Sequence, residues 1–472
     1  MSKTARVFQR QDVILFVSVA FALLFAFVSR AGAEPLPSPT SFRGVWYGCG
    51  RDNTLPGRDY VYAGGKATYS AWNRPMAVFA LKVNRTFFVF GDDRNRPSIA
   101  SFDHRTGVFA SPLALGENPD GNAHRNPALL IDEDGFLYVF YGYAGADQAI
   151  HVLRSAAPYD MANWVKKTDL MPRGASYPQP WQLKPGEITV VYRVAEGWCC
   201  KTSDDGCETW SDANSIIEFG DYEFCSTAYA MTVAATGAYP RRIHLTWSKL
   251  GGGTPAEQQT KPLWARRYDV YCACSDDGGN TWRKSDGTAL TLPITENKAV
   301  KVFESGEHGV WLKDIQLDAD GNPCILFIDA DTATYAGTWK FARGMAGEWS
   351  ISDIAPSHHM YNGGALVLYA RNDYRMFGPA QIVQENVEGG EIMEWRSSDS
   401  GRTWQPVTQL TSESQYSHNH VKTVLNQKQG DGRFRVFWSY GDGRTPPKTK
   451  DVDLFYWGDG MTKAQRIAVS AP

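Results

Sequence analysis

Five short stretches carry side chains suited to chemistry. His124 stands in "NAHRNPALLIDEDG", with Arg125 and Asn126 directly after it. Tyr177 stands in "SYPQPW" and Arg193 in "VVYRV". The stretch "SHHMYNGG" holds His358, His359, Tyr361 and Asn362, and "YSHNH" holds Tyr416, His418 and His420. A planar arginine pairs with a carboxylate through two parallel N–H bonds and steadies developing negative charge. Tyrosine and histidine transfer protons once burial or a neighbouring cation brings their pKa toward ambient pH. These types together suit recognition of an acidic ligand with proton transfer beside it.

The stretches are far apart in the chain, so a repeating frame must bring them together. Seven segments each pair two β-rich runs across a polar or glycine-containing turn. The first four are "MAVFALKVNRTFFVFG", "PALLIDEDGFLYVFYG", "PQPWQLKPGEITVVYR" and "AMTVAATGAYPRRIHLTW". The last three are "LKDIQLDADGNPCILFID", "GALVLYARNDYRMFGPAQ" and "VKTVLNQKQGDGRFRVFW". No long helical pattern interrupts them. Superimposed is an eight-residue repeat, S-x-D-x-G-x-T-W. It occurs at Ser275–Trp282 and Ser397–Trp404, and at Ser203–Trp210 with Cys207 in place of the glycine. Its starts are 72 and then 122 residues apart, the second interval being about two units of the size of a four-stranded blade. This pattern resembles the Asp-box of BNR-repeat and sialidase-like propellers, which implies an Asp-centred turn whose Trp packs between sheets. The expected fold is all-β, a seven-bladed β-propeller over residues 34–472, with "FRGVWYG" at 42–48 closing the ring. The five polar stretches then flank first or second strands of different blades and converge on one channel mouth.

The segment H-x-N-P-A-L followed by D-x-D-G-F-L-x-V-F-Y-G resembles the BNR-4 group of exported propellers, which is similar to seven-bladed ulvan lyases and related polysaccharide lyases. The likeness extends to "YPQPW…YR" at 177–193, "LKDIQLDADGNP" at 312–323, "GGEIMEWRSSDSGRTW" at 389–404 and "FWSYGDGR" at 437–444. It implies β-elimination at a uronate, which needs a neutralised C6 carboxylate, a base for the C5 proton and an acid for the leaving O4. By resemblance Arg193 takes the first task, and His124 and Tyr177 stand where these lyases place a catalytic His and Tyr. Two departures matter. Relatives carry a second histidine after "VFYG", where this chain has Ala144, so either Tyr143 beside it is the catalytic substitute, or the substrate differs, or the activity is altered or lost. Arg267-Tyr268-Asp269 stands where some relatives have Asn-His-Asp, which weakens any carried-over metal site. Two rival functions fit the same architecture. One is a sialidase-type hydrolase, although "FRGV" at 42–45 is a poor match to the early arginine motif of that class. The other is a glycan-binding propeller without activity.

Each candidate also has a plain reading. His124 could bond only to its own loop, Tyr177 before Pro178 could be packing, and Arg193 could pair with an acidic neighbour. Arg125, Asn126, His359, Asn362 and His418 are assigned to substrate binding. Strand alternation would turn only one of His358 and His359 toward the channel. His418 and His420, two residues apart, would share a face. His244 in "RIHLTW" alternates with apolar residues and reads as a core histidine. The "DADGNP" and "DEDG" segments lack the spacing of a calcium loop and read as hairpin turns. No organic cofactor is called for, and a structural divalent cation is the one metal role left open.

The chain has 472 residues, 13% aromatic and 21% charged, enough to bury a large core. Lys3, Arg6 and Arg10, the apolar run Val13–Val28 and "AGA" at 31–33 read as a cleaved signal peptide, residues 1–33. The protein is therefore expected in the periplasm or the medium, off the membrane and monomeric. Without the signal the chain carries 44 basic against 50 acidic residues, a balance that argues against nucleic acid. The eight cysteines lack paired CxxC spacing, which favours buried thiols or one or two disulfides over a metal cluster.

Overall fold

The computed structural model describes residues 41–48, 63–119, 121–142, 149–171, 175–194, 197–218, 227–234, 241–261, 265–295, 301–427, 430–444 and 451–468. The seven segments form seven antiparallel sheets in chain order. Their first strands are Ala77–Ala80, Ala128–Ile131, Ser176–Lys184, Thr227–Ala234, Gly309–Leu317, Ala365–Ala370 and Ser417–Thr423. Each touches the next, and the circle closes between blades 7 and 1. There Phe79 N donates to Leu425 O at 2.9 Å, and Leu425 N donates to Ala77 O at 2.8 Å. Arg43–Gly48 joins the outside of blade 7, with Gly44 opposite Val452. The expected propeller and its closing strand are therefore present.

The core lies between neighbouring sheets. Trp198, Trp247, Trp311, Trp339 and Trp438 are all fully buried. Phe88, Phe102, Phe109, Phe434 and Tyr456 pack edge-on or tilted where blades 1 and 7 meet. Each such ring removes enough apolar surface from water to stabilise the fold by about 1.5–3 kcal/mol.

The three Asp-boxes join third to fourth strands in blades 3, 4 and 6. In the last, Asp399 Oδ1 accepts from Ser397 Oγ at 2.7 Å, Arg402 N at 3.0 Å and Thr403 N at 2.9 Å. Gly401 there has φ 88°, the left-handed region that glycine enters without steric cost. Cys207 holds the same place in blade 3 at φ 69°, so this turn keeps its shape with a less permissive residue. Among the described residues Cys200, Cys207, Cys272 and Cys274 are buried free thiols, and Cys199 and Cys324 are buried as well. Cys199 and Cys200 lie in different core clusters, as strand alternation requires. Cys49 and Cys225 fall outside the described residues.

Candidate active site

One end of the ring gathers the segment before blade 1, the turn before blade 2, and the strand starts and ends of blades 3 and 4. Asn126 fixes the first of these. Its amide nitrogen donates to Lys66 O at 2.7 Å and Tyr69 O at 2.6 Å. His124 occupies a single 3-10 turn, Ala123–Arg125, capped by Asn122. Asn122 Oδ1 accepts from His124 N at 3.0 Å and lies 2.7 Å from His124 Nδ1. A carbonyl oxygen only accepts, so Nδ1 carries the ring proton and Nε2 keeps its lone pair. The Tyr69 hydroxyl sits 3.0 Å from that Nε2 and is therefore the donor. Burial, then the charges of Arg193 and Lys66, lower the His124 pKa to about 3, so the imidazole is neutral.

Tyr177 enters the site through an unusual backbone. Its φ is 56°, and the pairing register slips between Ser176 and Gln179. Pro178 already disfavours the right-handed region at this position, and the bulge re-aims the side chain inward. The ring is 1% exposed and lies 6.0 Å from the His124 ring, 5.7 Å from Trp72 and 6.1 Å from Tyr229. Arg193 ends the neighbouring strand Glu187–Arg193, opposite Ser176. Its guanidinium carbon stands 4.9 Å from the Tyr177 ring and 5.3 Å from the Tyr229 ring. His124, Tyr177 and Arg193 are thus brought together from two blades.

A buried ionic cluster underlies Tyr69. The Lys66 ammonium pairs with Glu388, lies 3.2 Å from His420 Nε2 and stands 5.3 Å from the Tyr69 ring. Burial raises the Glu388 pKa, but the Lys66 charge and His420 outweigh it and hold the carboxyl down to about 2. Beyond Tyr229, Arg267 begins the strand Arg267–Ser275 and is 4% exposed.

The remaining expected ligands are placed differently. Asn362 donates to Ser357 Oγ at 3.1 Å and accepts from Gly389 N at 2.8 Å, so it braces the loop before blade 6. His358 and His359 lie in the turn after Glu348–Ser357, so alternation does not govern them. His359 is 1% exposed, and its Nδ1 accepts from Tyr361 N at 3.1 Å. Arg125 is buried in the same 3-10 turn as His124. His418 and His420 do not share a face. His420 has φ 60°, and the register slips between Asn419 and Lys422, which sends the two rings apart. His418 packs against Tyr440 and Phe455 inside blade 7, with Trp438 Nε1 donating to its Nδ1 at 2.9 Å and Ser414 Oγ 3.0 Å from its Nε2. Tyr143 and Ala144 lie outside the described residues. Among the described residues no three His, Cys, Asp or Glu side chains gather where they could hold a metal ion.

Tyr69, Trp72, Tyr229 and the Lys66–Glu388 pair were not anticipated. The signal was available for the first two, because "KATYSAWNRP" precedes the first strand of blade 1 as the His124 turn precedes that of blade 2.

The family model for BNR repeat-containing family members matches residues 69–357. The chain belongs to that family. Within and around it, the chain is 22% identical to an ulvan lyase of Alteromonas sp. (strain LOR), over 76% of this chain and 82% of the relative. It is 23% identical to an ulvan lyase of Pseudoalteromonas sp. (strain PLSV), over 75% and 80%. Two solved structures described as ulvan lyase of a new polysaccharide lyase family superpose with a TM-score of 0.71 at 18% identity. Each match covers 87% of this chain and 96% of the other, and one of the two holds -[GlcA(1-4)Rha3S]-. At that identity the superposition speaks for the shared BNR-repeat propeller.

Proposed function

We propose that this BNR-repeat chain is an exported polysaccharide lyase that cleaves uronate-containing acidic glycans by β-elimination. The observation that carries the reading is the contact of His124, Tyr177 and Arg193, backed by relatives and structural neighbours described as ulvan lyases. Arg193 pairs with the C6 carboxylate through its planar fork and holds the charge that builds there as the C5 proton leaves. His124, neutral with its lone pair on Nε2, takes that proton once the bound sugar has displaced the Tyr69 hydroxyl from that nitrogen. The C5–H electrons become the C4=C5 double bond, and the C4–O4 bond breaks. Tyr177 gives its phenolic proton to O4, and the adjacent Arg193 cation stabilises the phenolate that results. Proton return from His124 to Tyr177 by way of solvent resets the site. Every step uses a side chain of this chain, and the substrate is an acidic polysaccharide or oligosaccharide met outside the cytoplasm after loss of residues 1–33.

The test is ultraviolet absorbance during incubation with a panel of uronate polysaccharides, ulvan included. A rise from the conjugated 4,5-unsaturated uronide is expected, and it should vanish in His124→Ala and Tyr177→Phe proteins that remain folded. A flat trace from folded wild-type protein across the panel overturns the lyase reading.

A further inference from the structure

The cleft between blades 4 and 5 encloses a cavity of about 160 Å3. Cavities of about 150 Å3 admit one six-membered ring. It lies far from His124, Tyr177 and Arg193. The strand Arg267–Ser275 starts at the channel mouth, and Cys274, which lines the cavity, stands about 23 Å further along it. One wall is a row of three side chains. His244 is opposite Cys274 and Cys274 is opposite Arg283, so all three share the face turned toward blade 5. The other wall is the hairpin of Gly337–Met345 and Glu348–Ser357, where Trp349 pairs with Gly344. A Cβ on Gly344 would come within 2.9 Å of the Trp349 ring, so the indole lies against bare backbone.

Two nitrogens of this lining lack a partner. His244 is 7% exposed and its Nε2 is buried without a hydrogen bond, as is Nε1 of Trp349. Buried polar atoms are almost always satisfied, and an unmade bond costs about 1–3 kcal/mol. Burial, then the Arg242 charge, lower the His244 pKa to about 4, so the imidazole is neutral. A hydroxyl both donates and accepts, so it satisfies a neutral imidazole in either tautomer and accepts from an indole N–H. The rim adds charge. Arg242 Nε donates to Asp276 Oδ1, and Arg283 Nε donates to Asp276 Oδ2 at 2.8 Å. Two guanidiniums thus share one carboxylate, and one positive charge is left over. Asp320, the acidic side chain of the lining, pairs with Arg371. The two arginine side chains are 20% and 27% exposed, so the cavity opens to solvent beside them. Such a rim suits a carboxylate, which takes charge-assisted bonds from guanidinium.

We propose that the cleft between blades 4 and 5 binds one small cyclic hydroxy acid, with its carboxylate at the Arg242–Arg283 rim and its hydroxyls on His244 Nε2 and the Trp349 indole N–H. No covalent bond is made or broken there. An occupant would bridge the outer strands of two neighbouring blades and stabilise the folded ring by mass action. The inference stands apart from the lyase reading, because none of its residues belongs to the group around His124.

Calorimetric titration with three ring-sized probes tests it. Quinate carries a carboxylate and hydroxyls, inositol hydroxyls alone, and cyclohexanecarboxylate the carboxylate alone. Wild type should bind quinate at one site, about 10-fold or more tighter than either of the others. Arg283→Gln should bring quinate down to the level of inositol. Trp349→Phe, which removes one N–H, should weaken quinate about 5- to 10-fold. Arg193→Ala, which alters the channel mouth, should bind quinate as wild type does. Should Arg283→Gln not fold, Trp349→Phe at a half-buried strand position reads the same site. Absence of quinate binding in wild type, or equal binding of the three probes, overturns the proposal. Full quinate affinity in Arg283→Gln overturns it too, and a loss in Arg193→Ala would then place the ligand at the channel mouth.

Discussion

The hydroxyl of Tyr69 stands 3.0 Å from Nε2 of His124, on the one ring nitrogen that keeps a lone pair. The tyrosine therefore fixes the imidazole's orientation and tautomer and covers its lone pair until the bound sugar displaces the hydroxyl for the proposed proton abstraction. Tyr69→Phe should lower kcat about 10- to 100-fold with KM nearly unchanged. Steady-state kinetics alongside a melting curve would check this. An equal loss in KM and kcat would instead mark Tyr69 as a substrate contact.

Arg193 is expected to act through its fork as well as its charge. Arg193→Ala should cut kcat/KM by about 10²-fold or more, and Arg193→Lys should recover only a small part of that. Both proteins should melt near the wild-type temperature, because Arg193 is half-buried at a strand end. Unfolding of Arg193→Ala would show that the stacking on Tyr177 and Tyr229 serves the fold.

Acid should destabilise the protein earlier than carboxylate titration alone would. Burial lowers the pKa of His124, His359 and His418 to about 3, and of His420 and His244 to about 4. The unfolded chain therefore binds more protons than the folded one once pH falls below about 6.5. Each such histidine costs about 1.4 kcal/mol per pH unit from there down to its folded value. On the alkaline side Lys422, lowered to about 7 by burial and then by Arg74, makes stability rise with pH between its folded and unfolded values. Denaturant midpoints measured from pH 8 to 4.5 should fall throughout, gently down to about 7 through Lys422 and more steeply below about 6.5 through the histidines, and a flat profile down to pH 5 would contradict this.

The Asp-boxes should matter for stability alone. Asp399→Ala removes the acceptor for Ser397 Oγ, Arg402 N, Thr403 N and Thr403 Oγ1, with a cost of about 1–3 kcal/mol. Denaturant unfolding should record that loss while kcat and KM stay at wild-type values, since the turn carries none of the side chains grouped around His124.

Much of this frame was legible because its signals are local. Strand runs, hairpin turns and the S-x-D-x-G-x-T-W repeat each act within about ten residues, so the seven blades and the closing strand could be read directly. His124, Tyr177 and Arg193 were readable as strand-flanking positions, and their resemblance-based roles remain proposals. What escaped depends on the breaking of strand periodicity. The left-handed residues Tyr177 and His420 sit at register slips that no alternation rule anticipates, so His418 and His420 part company. Arg267 was visible only as a departure from a pattern, because the rings of Trp72, Tyr229, Trp311 and Tyr361 around it are far apart in the chain.

The strand Arg43–Gly48 finds its partner in Asp451–Trp457, more than 400 residues later. Blade 7 therefore takes its outer strands from residues far apart in the chain, and the buried side chains of Lys66 and Tyr69 cannot meet His420 until residue 420 has been made. A shortened product ending before residue 451 would leave an open sheet edge exposed, prone to pair with other chains. Completion of synthesis thus acts as the gate for assembling the site: the last blade decides whether the first residues of the ring ever become part of it.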